Sequence, residues 1–331
     1  MDEIQYGLPS ARKTFSRIGL AFCAVTLIST VLQLLCATLP RLIWGEENPL
    51  TNSSWGIWVI SFVPLYFVAI PIGLQILRGL PAQTPQSHPL KAGGFWVVVP
   101  VCIFLTYAGS LVGTVLSFLL SGGSAQNAVA EYAMDTHPLK VLVMVILAPL
   151  IEEYLCRKQI IDRTRRYGEK TAVFFSALIF GLLHQNLYQF FYAFALGLVF
   201  GYIYIRTGRL RYTILLHGIF NFMGAVIAPW ILTHSNIEAL QNIDPTLPPE
   251  ELMQIYQELL PGLVPASLYS MMIVGLFIAG LVLLITERKQ LVWKQSEETL
   301  PQGTVVKTAY LNLGMVLFCL ICAAAIVYAL F

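Results

Sequence analysis

The sequence predicts an all-α fold: a polytopic membrane helical bundle of about nine transmembrane helices (eight possible), with a cytoplasmic N-terminus. Three observations predict it. The chain of 331 residues is 57% hydrophobic and 11% charged, with a mean hydropathy of +0.71, whereas a soluble domain carries about 25% charged residues. Apolar segments recur along its whole length. Of its 20 Lys and Arg, all but Arg41 and Lys140 fall on one set of alternate loops, which is the positive-inside pattern. The net charge of +2 says less than that distribution.

The apolar segments run approximately 18–40, 55–77, 95–120, 138–160, 171–185, 187–205, 212–232, 264–286 and 308–331. Most reach the roughly 20 residues a spanning helix needs, and the fifth and sixth are short. The first follows Arg12, Lys13 and Arg17 and is longer than a signal-peptide h-region, so it reads as an uncleaved anchor. After the second comes "RGLPAQTPQSHPLKAGG" (Arg78–Gly94), rich in Pro and Gly, a linker that separates two amino-terminal helices from the rest; His88 within it is a solvated loop residue. The loops at 121–137 and 233–263 hold no Lys or Arg; the second carries Glu238, Asp244, Glu250, Glu251 and Glu258 and predicts a short amphipathic surface helix around 247–260. The domain reading is 1–94 for the first helices and linker and 95–137 for a helix and outer loop. A four-helix core at 138–232 and the outer loop with two last helices at 233–331 complete it. All six cysteines lie in apolar stretches, which suits free thiols. For the Cys319-x-x-Cys322 pair, packing is a better reading than zinc or redox chemistry, because no second pair is near.

Polar residues inside the spans carry the chemistry. "APLIEEYLCR", from Ala148, sets Glu152 and Glu153 side by side in a spanning helix, where each buried charge costs a few kcal/mol, about 2.5–3.5 on insertion scales. Neighbours on a helix point about 100° apart, so the two cannot do the same job. Glu153 and Arg157 are spaced for an ion pair; Glu152 has no such partner. Pro149 removes a backbone bond and opens room beside the carboxylates. "FGLLH" places Phe180 and His184 on one helical face, and "LLHGIFNF" does the same for His217 and Asn221. Counted at ~1.5 Å per residue, Glu152, His184, His217 and Asn221 can meet in the cytoplasmic half of the bilayer.

Such a set suits hydrolysis of an acyl bond. A carboxylate can take a proton from water, and an amide and an imidazole can hold an oxyanion. Alternatively, Glu152, His184 and His217 can be three ligands of a hydrolytic zinc. No Ser or Cys stands beside a histidine in any span, which disfavours a covalent acyl-enzyme.

"EEYLCR" (Glu152 to Arg157), "FGLLH" (Phe180 to His184) and "HGIFN" (His217 to Asn221) resemble the E-E-x-x-x-R, F-x-x-x-H and H-x-x-x-N motifs of CPBP intramembrane proteases. That family includes CAAX prenyl endopeptidases and bacterial bacteriocin-processing or immunity proteins. The resemblance covers roughly 140–230 and includes "FALGLVFGYIYIRTGRLRYTILLHGIFN", whose Gly197 and Gly201 allow close helix packing whatever the family. The resemblance implies that Glu152 activates water with His184 assisting, that His217 and Asn221 hold the oxyanion, and that Glu153 and Arg157 support the site. It implies an integral, multi-pass protein of a bacterial cell membrane. The expected partners are membrane lipid and a peptide or protein substrate at the membrane, with no nucleic acid. The resemblance settles no cofactor, and a divalent metal such as zinc stays open. Two other classes compete: a non-enzymatic immunity or scaffold protein, against which the intact motifs argue, and a proton-coupled transporter, against which the lack of two matching inverted halves argues.

Overall fold

In the computed structural model, which describes residues 2–244, 246–296 and 298–331, each of the nine apolar segments is helical, and no strand occurs among the described residues. The helices are α1 (Asp2–Trp44), α2 (Gly56–Leu77), α3 (Ala92–Ser121), α4 (Ala128–Met134), α5 (141–164), α6 (Glu169–Leu182), α7 (Leu187–Thr207), α8 (Leu210–His234), α9 (Pro249–Glu287) and α10 (Leu313–Tyr328). Among the described residues, α1, α2, α3, α7, α8 and α9 are long and apolar enough to cross a membrane. The apolar run of α5, though not the helix itself, is interrupted by charges, and α6 and α10 are short, at 14 and 16 residues.

Close packing sets the geometry. Gly197 and Gly201 bring α7 onto α6: a Cβ on Gly197 would lie 3.0 Å from Ala177 Cα, and one on Gly201 3.1 Å from Val173. Gly109 and Gly113 bring α3 onto α7 even more closely, with added Cβ atoms 2.6 Å from the Tyr192 backbone and 2.3 Å from Leu187 O. A larger residue at either would push α3 away from the helix it covers.

Three helices share a device built on proline. In α2, α5 and α8 the residue before a proline bonds five residues back instead of four: Ile70 to Leu65, Ala148 to Val143 and Ala228 to Met223. Pro71, Pro149 and Pro229 have no N–H to continue the series, so each widened turn leaves one carbonyl without its helical donor.

One sequence expectation gains detail and another changes. The Arg78–Gly94 linker between α2 and α3 is pinned down as a strap. Gln83 N–H donates to Asp162 O (2.7 Å), His88 N–H to Thr207 O (2.8 Å) and Leu90 N–H to the Tyr212 hydroxyl (3.1 Å), so the Pro-rich chain is stitched across one end of α5, α7 and α8. Buried Asp162 anchors it further, accepting from Thr84 Oγ1 (2.8 Å) and Tyr204 OH (2.9 Å) and pairing with Lys158 (2.9 Å). The surface helix expected at 247–260 is the first part of the 39-residue α9, because Pro261 and Pro265 do not stop the helix.

The strap, the 165–168 turn and residues 288–296 and 298–305 lie at one end of the bundle, the end rich in Lys and Arg. With positive-inside orientation, single cysteines at Lys170 and Asp244, in a background lacking the native six, are expected to label from opposite sides with an impermeant reagent. Both positions are exposed, whereas Ser235 is fully buried. Labelling from one side would refute that orientation.

Candidate active site

Helix α5 separates its two glutamates as their spacing requires. Glu153 is 0% exposed, while the Glu152 side chain is 29% exposed and lines a cavity of about 650 Å³. Glu153 is fully engaged. Arg157 Nε donates to its Oε2 at 2.9 Å and Nη2 to its Oε1 at 3.3 Å, a two-pronged pair. The remaining guanidinium edge donates to Ser176 Oγ at 2.9 Å, and that hydroxyl donates on to Cys156 O at 2.6 Å. The Phe180 ring lies 4.9 Å from the guanidinium carbon, a cation–π contact in a dry site. Both charges are therefore paired, as burial demands.

The histidines are oriented through their Nδ1 atoms. His217 Nδ1 donates to Glu153 Oε1 at 3.1 Å, and its Nε2 lies 3.8 Å from Glu152 Oε2. His184 sits just past the regular turns of α6, where Nδ1 lies 2.8 Å from Phe180 O. A carbonyl only accepts, so Nδ1 carries the proton and Nε2 keeps its lone pair when the ring is neutral. Asn186 supports that turn, its amide donating to His184 O at 2.7 Å while its Oδ1 caps α7 through Gln189 N–H. Phe180 packs edge-on to both imidazoles, with centroids 5.2 Å from His184 and 5.6 Å from His217. Asn221, one turn beyond His217, lines the cavity and donates to Met144 O at 2.7 Å.

All six residues singled out from the sequence thus belong to one cluster on α5, α6 and α8: Glu152, His184, His217 and Asn221 on the cavity wall, Glu153 and Arg157 sealed behind it. The three groups weighed as zinc ligands do not form such a set, for no three His, Cys, Asp or Glu side chains among the described residues gather where they could hold one ion. The cavity also differs from the depth expected. It runs from Glu152 to Asn127, Tyr132, Asn186 and Tyr188, at the end of the bundle opposite the basic strap. Counting along straight helices placed the four groups without locating the void between them.

Several contributors were missed. Ser176 is one turn before Phe180, so Ser176, Phe180 and His184 form one i, i+4, i+8 stripe that the sequence does display. Helix α4, which lines the cavity, lies within the outer loop expected at 121–137; its signal is Asn127, whose side chain caps it by accepting from Val129 N–H. Tyr132 of α4 hydrogen-bonds Ser61 of α2 at 2.8 Å, and Trp58 Nε1 donates to Asp135 at 2.7 Å. Partial burial pushes the Asp135 carboxyl up, but the His137 N–H and the Trp58 indole outweigh it and hold the group below the usual carboxylate range.

A helical membrane bundle with a carboxylate and two oriented imidazoles around a cavity has the equipment of a membrane hydrolase. A family model described as type II CAAX prenyl endopeptidase, Rce1-like, matches residues 135–223, the stretch that holds every one of these groups. A Bacillus subtilis (strain 168) protein named "Putative membrane peptidase YdiL" is 30% identical over 186 residues, covering 53% of this chain and 72% of YdiL. The protein named "Membrane-embedded CAAX protease MroQ" from Staphylococcus aureus (strain USA300) is 25% identical over 209 residues, covering 58% of this chain and 84% of MroQ. No solved structure matches the chain significantly. The chain belongs to the Rce1-like CAAX protease family of membrane endopeptidases and is a multi-pass integral membrane protein.

Proposed function

We propose that the protein hydrolyses a peptide bond of a membrane-associated peptide, of the lipidated or leader type, using water activated by Glu152. The observation that carries this reading is the division of labour within the glutamate pair: one carboxylate opens to the cavity, the other is sealed by Arg157. A peptide entering the cavity meets mostly apolar and neutral polar walls, with Glu152 the one carboxylate among the lining side chains.

In the attacking step Glu152 takes one water proton as the water oxygen adds to the carbonyl carbon, and the bare Nε2 of His184 holds the water by accepting its second hydrogen. The oxyanion receives hydrogen bonds from His217 Nε2–H and from the second amide hydrogen of Asn221. His217 carries both ring protons in this scheme, since its Nδ1–H is given to Glu153. The charges of Glu152, Glu153, Arg157 and His217 then sum to zero. Collapse breaks the C–N bond, and the proton held by Glu152 passes to the leaving amine. No step runs through a metal.

Mass spectrometry of membrane peptides from cells with the wild-type chain or Glu152→Gln tests the reading. Cleavage products present only with the wild type support it, and identical peptide sets overturn it. Asn221→Asp tests the donor role: replacing the amide by an anion should abolish turnover, since losing one oxyanion donor costs on the order of 10²–10³. An active Asn221→Asp protein whose activity is removed by a chelator and restored by zinc would mean that residue 221 is a metal ligand.

A further inference from the structure

We infer that Asn221 is also a positioning residue: its side chain replaces the backbone donor that Pro149 removes, and so clamps the helix that carries Glu152. The inference rests on the protease reading only for its effect on turnover. Along α5, Ala148 N–H donates to Val143 O. The carbonyl of Met144 is next in that series, and its donor would be residue 149, which is proline. Asn221 Nδ2 fills the vacancy from α8 at 2.7 Å.

The corresponding carbonyls before Pro71 and Pro229 are those of Tyr66 and Gly224, and among the described hydrogen bonds no side chain donates to either. The tie is thus a feature of the helix bearing the glutamates. Met144, Ala148 and Glu152 are spaced i, i+4, i+8, and all three line the cavity. His217 and Asn221 are spaced i, i+4 on α8. The two helices run antiparallel and meet at two rungs, His217 to Glu153 and Asn221 to Met144 O. Pro149 lies between the rungs. One rung alone would leave α5 free to swing about its widened turn, and Glu152 would leave its register with His217. Two rungs fix it.

A four-protein cycle tests the clamp: full-length wild type, Asn221→Ala, Pro149→Ala and the double variant, purified in detergent. The readouts are kcat and KM on a membrane peptide that the wild type cleaves, and Tm. In the wild-type background, Asn221→Ala is expected to lower Tm and to reduce kcat by more than the order of 10²–10³ that a lost oxyanion donor alone costs, with KM changed little. In the Pro149→Ala background the restored N–H serves Met144 O, so the same substitution should cost at least about tenfold less in kcat and less than half as much in Tm. Equal kcat losses and equal Tm losses in the two backgrounds would overturn the clamp and leave Asn221 as an oxyanion donor only. If Pro149→Ala is itself inactive, the Tm cycle decides: additive changes overturn the clamp, and a smaller Asn221→Ala effect in the Pro149→Ala background upholds it. If no tested peptide is cleaved by the wild type while the Tm coupling is present, the protease reading fails and the clamp stands.

Discussion

Glu152→Gln should lower turnover by about 10²–10⁴, the range that a positioned acid–base group contributes, while leaving the fold intact. The two side chains have nearly the same shape, so substrate space is preserved, and KM should move little. The amide cannot take the water proton. The structural cost is small because Glu152 holds nothing up: its side chain is 29% exposed to the cavity, and its nearest charged neighbour, His217 Nε2, is 3.8 Å away. Substitutions away from buried networks usually change stability by less than about 0.5 kcal/mol, so Tm should shift by no more than about 2 °C. Thermal unfolding in detergent, paired with cleavage of a membrane peptide, measures both. Turnover within tenfold of wild type would remove Glu152 from the role of base.

The sequence displays this site well because its signals are local. The i, i+4 spacings of Glu153 with Arg157, Phe180 with His184 and His217 with Asn221 each place two groups on one helix face, and the structure keeps every pairing on its face. What the sequence does not display depends on contacts between distant segments. The His217–Glu153 bond joins residues 64 apart, and the Asn221–Met144 bond residues 77 apart; no spacing rule reaches across two intervening helices. The strap at 78–94 fails for the same reason. Its Pro and Gly content reports a chain without regular structure, and such a chain is loose or stitched down according to the acceptors it meets, here Asp162 O, Thr207 O and the Tyr212 hydroxyl on α5, α7 and α8, which take the N–H groups of Gln83, His88 and Leu90. Helix α4 was hidden by its length: seven residues give too few turns for an apolar period to emerge. The long helices were legible throughout, since an apolar run of about 20 residues is explained by a bilayer and by little else.

Glu153→Gln should have the opposite signature, a large loss of stability. Arg157 is 0% exposed. Its charge is balanced by the Glu153 carboxylate through two hydrogen bonds, with Ser176, the Phe180 face and the more distant Phe200 ring as further partners. The glutamine oxygen can still accept one bond, but the negative charge is gone, and a buried cation is left unbalanced. Breaking a buried pair by removing one partner costs about 3–5 kcal/mol, much of it from the stranded charge. Turnover should fall too, because His217 loses the carboxylate that holds its Nδ1–H. The decisive comparison adds Arg157→Met, which removes the cation and keeps most of the volume. Alone, it leaves Glu153 with His217 as its one charged partner and should also lower stability. Together, the two substitutions leave no buried unpaired charge, so the double variant should be more stable than the sum of the singles predicts by about 2 kcal/mol or more, within the range of coupling energies for residues in contact. Strict additivity of the Tm losses would mean that the pair is not the structural anchor of the site, and a Glu153→Gln protein with wild-type Tm would mean the same.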